Sequence, residues 1–206
     1  MTTNRFESPG NAPVAPFRRF LAPGAIGALA ALVQTGGGPA RLALRYEREG
    51  LAAGEAWRLV TGHLVHLGPS HMAMNVLALG VLALIFQRLL TDRDWWLGCL
   101  AAAFVIDAGL YFGSPDIQWY VGLSGVLHGV WAIAAIRAWQ QRRTEALAFT
   151  LLLAVKLAYE ALVGPVPLTG TVAAGPVVAV AHAYGAAGGA AYALASFAVR
   201  PRGRSL

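Results

Sequence analysis

Residues 119–139 read WYVGLSGVLHGVWAIAAIRAW, an apolar run with one charge, Arg137, near its end. As a helix it is long enough to cross the ~30 Å hydrocarbon core of a bilayer, which takes about 20 residues. Ser124, His128 and the glycines Gly122, Gly125 and Gly129 set it apart from a helix that only faces lipid. Working outward, comparable runs occur at about Phe20 to Val33, Met72 to Phe86, Trp95 to Phe112, Ala146 to Val163 and Thr171 to Val199. Several fall short of about 20 residues, so flanking residues must extend them or the bilayer must thin around them. Composition agrees: 57% of the 206 residues are hydrophobic, 13% are charged, and the mean hydropathy is +0.55, more than a soluble domain of this size needs to fill its core. The expectation is an all-α membrane protein with six transmembrane helices.

The formal charge of +6 does not indicate nucleic acid, because the basic residues form short clusters between apolar runs rather than one continuous face. Membrane orientation accounts for them, since short cytoplasmic loops are enriched in Lys and Arg. Arg5, Arg18 and Arg19 precede the first run, Arg88 and Arg93 follow the second, Arg137, Arg142 and Arg143 follow the fourth, and Arg200, Arg202 and Arg204 follow the sixth. On the opposite side Arg41, Arg45, Arg48 and Arg58 are offset by Glu47, Glu49 and Glu55. The predicted organisation is a cytoplasmic tail at 1–19, a six-helix membrane domain at 20–199 with one sizeable outer loop at about 34–69, and a cytoplasmic basic tail at 200–206. The first run reads as an anchor rather than a signal peptide, because it has no clear cleavage site and five further runs follow. Cys99, the single cysteine, cannot form an intrachain disulfide and is assigned to packing.

Polar residues recur at one predicted level. Counting 1.5 Å per residue, Ser124 lies roughly 8 Å along its run from Trp119, His182 about 9 Å from Pro176, and Asn75 roughly 8 Å from Ser70. His71 shares a helical face with Asn75. Each residue has a plain alternative: glycines let membrane helices approach closely, a serine among them can bond the preceding turn, Asn75 can bridge helices, and His63 and His66 can be solvated near the interface. A histidine within an apolar run is harder to explain away, since ionisable groups in lipid face a partner or water. Asp107 and Lys156, at similar predicted depths in runs three and five, are expected to pair, with Glu160 competing for Lys156 as its i, i+4 neighbour.

Taken together, Trp57-Arg58, then His66, His71 and Asn75, then Gly122-Leu123-Ser124-Gly125, then Ala181-His182 with Gly185 and Gly189, resemble the rhomboid proteases in order and topology, from Trp57 to Gly189. The resemblance implies a six-helix rhomboid-like core and a Ser124–His182 catalytic dyad. It further implies oxyanion stabilisation by His71, Asn75 and the Ser124 amide, and cleavage of membrane-anchored substrates near the outer face. One departure is His128, four residues after the serine, where rhomboids often carry an aromatic against the catalytic histidine. Gly-Leu-Ser-Gly-Val-Leu-His-Gly in a compact chain is similar to the rhombosortase branch. That likeness implies a bacterial inner-membrane protein acting on transmembrane C-terminal tails of secreted or surface proteins, marked by a Gly-Gly pair.

The expected chemistry is attack by Ser124 on a peptide carbonyl, with His182 as general base and acid. His128, Gly122 and Gly125 support the site, and no acidic third member, cofactor or metal is called for. Two other readings stay open. A metal-dependent protein could draw on His63, His66, His71, His128 and His182, although no His-Glu-x-x-His motif occurs. A catalytically inactive relative could use the same fold to capture helices.

Overall fold

Each of the six apolar runs contributes a long helix: α1 (Leu21–Gln34), α5 (Pro69–Phe86), α6 (Asp92–Ala108), α7 (Ser124–Ala138), α8 (Arg143–Leu162) and α10 (Val180–Ala198). Among the described residues four short helices lie between them: α2 (Gly37–Leu44), α3 (Arg48–Ala52), α4 (Arg58–Thr61) and α9 (Thr169–Ala173). The structure is a computed structural model that describes residues 16–167, 169–173 and 175–198. Most of the proposed tails at 1–19 and 200–206, with Arg5, Arg200, Arg202 and Arg204, lie outside the described residues. Helix α5, and α6 together with the π-helical turn Gly109–Gly113 that continues it, are each long and apolar enough to cross a membrane. The segment 17–34 forms a third candidate with α2, to which it is bent by 114°.

Helix α7, from the run at 119–139, sits at the centre. In α7 all residues except Ser124, Trp131 and Ile136 are buried, as expected of a helix that is apolar all round. Small residues let α10 lie directly on it. A Cβ added at Gly185 would stand 2.0 Å from Gly125 O, and one at Gly189 would stand 2.1 Å from Gly129 O. Helix α6 closes the other side, its N-terminus capped by a reciprocal Thr91–Asp94 box. Asp94 Oδ1 also takes a 2.7 Å bond from the Arg137 guanidinium, which reaches Ser196 Oγ at 2.7 Å. Arg137, counted in the sequence among the orienting charges, is thus a buried clamp joining α6, α7 and α10. Trp131 Nε1 donates to Phe149 O at 3.1 Å and ties α7 to α8.

Arginines tie down the loop at 34–69, which the sequence reading assigned to the outer side. Arg58, 7% exposed, donates to Leu42 O and Arg45 O at 3.0 and 2.9 Å and pairs with Glu55. Arg48 donates to the carbonyls of Leu110, Tyr111 and Ser114. Strand β1 (Tyr46–Glu47) pairs antiparallel with β2 (Trp119–Tyr120).

This small ribbon corrects the sequence reading. Residues 119–123 are not the first turns of helix four: two belong to β2, and Gly122 has φ +119°, which interrupts any helix. Ser124 therefore opens its helix, and a depth counted in helical rise from Trp119 does not apply. Run six is likewise divided. Its long helix starts at Val180 rather than Thr171, after Pro176, which lacks an N–H and disfavours helical backbone before it. The expected Asp107–Lys156 pair does not form: Asp107 Oδ1 lies 3.2 Å from His63 Nε2, and Lys156 Nζ lies 2.7 Å from Glu160 Oε1. One helical turn along α8 is a shorter reach than another helix. His63 and His66 are not solvated either; they are 3% and 1% exposed.

Candidate active site

Ser124 and His182 both occupy the first turns of their helices, and the glycine contact between α7 and α10 draws those turns together. His182 Nε2 stands 3.0 Å from Ser124 Oγ. His182 itself is 5% exposed. The first intrahelical bond of α7 runs from Leu127 N–H to Leu123 O, so the Ser124 amide lies in the turn whose N–H groups have no helical partner.

Helix α5 supplies the facing wall. Leu67 N–H donates to His71 Nδ1 at 3.3 Å, which places the proton of a neutral ring on Nε2 and makes that atom a donor. Gly122 passes close to this ring: a Cβ there would meet His71 Cε1 at 2.9 Å, in a conformation that side chains rarely adopt. Asn75, 2% exposed, donates one N–H to His71 O at 2.9 Å and keeps its second. His66 packs edge-on against His71 with ring centroids 5.0 Å apart. Burial holds His66 down to about 4, so it is a neutral neighbour at pH 7.

Behind the serine, Tyr120 OH donates to Gly122 O at 2.8 Å, and Gly122 N–H donates to Gly62 O at 3.1 Å. The ring of His63 meets Tyr120 edge-on at 5.6 Å. The His63–Asp107 pair thus backs the turn that leads into Ser124. Gly125 belongs to the same packing, since a Cβ there would lie 2.9 Å from Ala181 O.

His128 lies on His182, its ring centroid 4.1 Å away and its plane within 15° of parallel, the placement of an aromatic packing partner. Its Nδ1 lies 2.7 Å from Ser124 O, the backbone acceptor one turn back. The sequence reading missed the remaining neighbour: Glu160 Oε2 stands 2.8 Å from His182 Nδ1, so an acidic group does adjoin the Ser124–His182 contact. The available signal was a carboxylate within an apolar run, which seldom lacks a function, although Lys156 one turn back offers it a local partner.

His71, Asn75, Ser124, His128, Glu160 and His182 all border one cavity of about 310 Å³, the size of a small ligand site. Ligand atoms of His128, Glu160 and His182 lie within 4.8 Å of one another, close enough to raise the question of a metal. The two imidazoles are stacked nearly parallel, so their in-plane lone pairs run side by side rather than converging on one ion. As arranged, the group suits proton handling better than tetrahedral coordination.

Comparison with known proteins agrees with the topology. The Rhomboid domain family profile matches residues 53–199. The chain is also 30% identical over 84 residues to "Putative rhomboid protease YdcA" of Bacillus subtilis (strain 168). That alignment covers 41% of this chain and 42% of the relative, so the chain spans less than half of the curated relative it matches. With the family profile covering most of the chain and apolar helices long enough for a bilayer, this protein belongs to the rhomboid family and is an integral membrane protein.

Proposed function

We propose that the chain is an intramembrane serine endopeptidase in which Ser124 attacks the scissile carbonyl and His182 takes the hydroxyl proton, then delivers it to the leaving amine. The observation that carries this reading is the 3.0 Å contact between Ser124 Oγ and His182 Nε2, on the wall of a cavity of about 310 Å³. In this mechanism the tetrahedral oxyanion is met by the Ser124 amide, His71 Nε2–H and the second N–H of Asn75, which border the same cavity and are the kind of donor that stabilises developing negative charge. In this reading the six long helices are six spans, both termini are cytoplasmic, and the site opens toward the outer face of a bacterial inner membrane. A fluorophosphonate probe tests the nucleophile directly: labelling of the wild type and none of Ser124→Ala is expected, and equal labelling of both defeats the assignment.

Asn75→Ala is expected to lower kcat on the order of a hundredfold while changing KM little, because an oxyanion donor acts mainly in the transition state. Steady-state kinetics in detergent or nanodiscs decide it. An unchanged kcat with a raised KM reassigns Asn75 to substrate contact.

The substrate class we propose is the transmembrane C-terminal tail of a secreted or surface protein, marked by a Gly-Gly pair just outside the apolar span, as in the rhombosortase branch. A serine at the start of a helix facing the outer side reaches a peptide bond only where the substrate helix ends or unwinds, because helical backbone is closed and internally bonded. Glycine eases that unwinding, being a poor helix former. A reporter carrying such a tail, co-expressed with wild type or Ser124→Ala, is expected to be released only by the wild type, with the new C-terminus at the glycine pair by mass spectrometry. Equal processing in both strains, or cleavage only of tails without the pair, overturns this specificity.

A further inference from the structure

Glu160 has no part in the mechanism above, yet its placement is specific. It is 6% exposed on α8, and its two carboxylate oxygens have separate partners: Oε1 meets Lys156 Nζ at 2.7 Å, and Oε2 meets His182 Nδ1 at 2.8 Å. A buried carboxylate without partners would be neutralised or excluded. Here Lys156, one turn away on the same helix, balances its charge and leaves the second oxygen for the imidazole. An ionised carboxylate can only accept, so the ring proton of neutral His182 stays on Nδ1. The Nε2 lone pair then faces Ser124 Oγ, the tautomer a general base needs.

We infer that Glu160, held by Lys156, is a positioning residue that converts the Ser124–His182 pair into a Ser–His–Glu relay. The inference rests on the serine-protease reading and deepens it. His128 and Glu160 restrain the same ring in complementary ways: the stacked His128 sets the ring plane, and the carboxylate sets which nitrogen faces the serine. During attack the Ser124 proton moves to His182 Nε2 as Oγ bonds to the carbonyl carbon. The Nδ1–H stays on the ring, and Glu160 remains ionised beside the imidazolium. The positive charge created on this buried ring lies next to a fixed negative one. The titratable and charged groups around His182 are Glu160 and Lys156 from α8, Ser124 and His128 from α7, and His71 from α5.

The test is Glu160→Gln in the full-length protein in nanodiscs, with wild type and Ser124→Ala alongside. Gln is nearly isosteric, but its amide can donate to Nδ1 and favour the wrong tautomer. The expected result is a fall in kcat of at least about a hundredfold with little change in KM. If Glu160 serves only to neutralise Lys156, the double variant Lys156→Met/Glu160→Gln recovers wild-type kcat, and that recovery overturns the relay. The wild type supplies a readout independent of variant folding: 15N spectra of histidine-labelled protein are expected to show neutral His182 protonated on Nδ1, and protonation on Nε2 overturns the proposal. Wild-type kcat in Glu160→Gln with loss in Ser124→Ala rejects the relay alone, whereas equal activity of wild type and Ser124→Ala rejects the protease reading beneath it.

Discussion

Ser124→Ala and His182→Ala are each expected to reduce proteolysis by at least about 10⁴-fold, in line with the collapse seen when a serine nucleophile or its histidine is removed from a unit that acts together. Both proteins are expected to remain folded. Ser124 sits at the start of α7 and is only partly buried, so losing its hydroxyl opens no core cavity. His182 is more buried, and its removal leaves His128 without its stacking partner and Glu160 without one of its two bonds. A modest drop in thermal stability should therefore accompany the second variant and not the first. The double variant is expected to be no worse than either single one, because the two groups serve one proton transfer. Turnover by purified Ser124→Ala at a rate near wild type would remove the foundation of the site.

Gly185→Val is expected to abolish activity by a different route, through the fold. A Cβ at position 185 falls 2.0 Å from the carbonyl oxygen of Gly125, and that contact is with backbone rather than with a side chain that could swing away. Relief requires α10 to move off α7 at the level where Ser124 Oγ and His182 Nε2 meet. Overpacking of a closed core costs about 1–3 kcal/mol when side chains can adjust; a backbone clash sits at the upper end or beyond. Thermal unfolding in detergent should show a lowered Tm, and the fluorophosphonate probe should lose its target even in the protein that stays folded. Gly24→Ala is the matched control, since nothing lies within 4 Å of a Cβ there. A Gly185→Val protein with wild-type Tm and labelling would mean that close helix contact does not set the dyad distance.

The arginines illustrate why charge alone is an incomplete guide in such a chain. Arg88 and Arg142 are exposed, as orientation by basic loops supposes. Arg137 and Arg58 are 4% and 7% exposed and are consumed by hydrogen bonds inside the protein. Counting charge along the chain sorts these four by loop but cannot tell the buried pair from the exposed pair, because which arginine meets an acceptor depends on segments far away in sequence.

The sequence by itself determined the membrane environment, where the long helices lie, and that Ser124 and His182 are the polar residues to look for. Hydropathy is a local property, and a serine flanked by glycines or a histidine in an apolar run is conspicuous wherever it folds. Only the tertiary structure decided how polar side chains are shared. Asp107 pairs with His63 rather than Lys156, and Glu160 reaches His182 while Lys156 holds its other oxygen. Local periodicity can propose the i, i+4 pair on α8, but it carries no information on which helix lies opposite. The starts of α7 and α10 were also beyond it. Both runs are already apolar ahead of their true helix starts, so hydropathy extends each helix into residues that the structure uses otherwise. The ladder between Tyr46 and Tyr120, a contact across 74 positions, turns the beginning of run four into a strand and leaves Ser124 as the first residue of its helix.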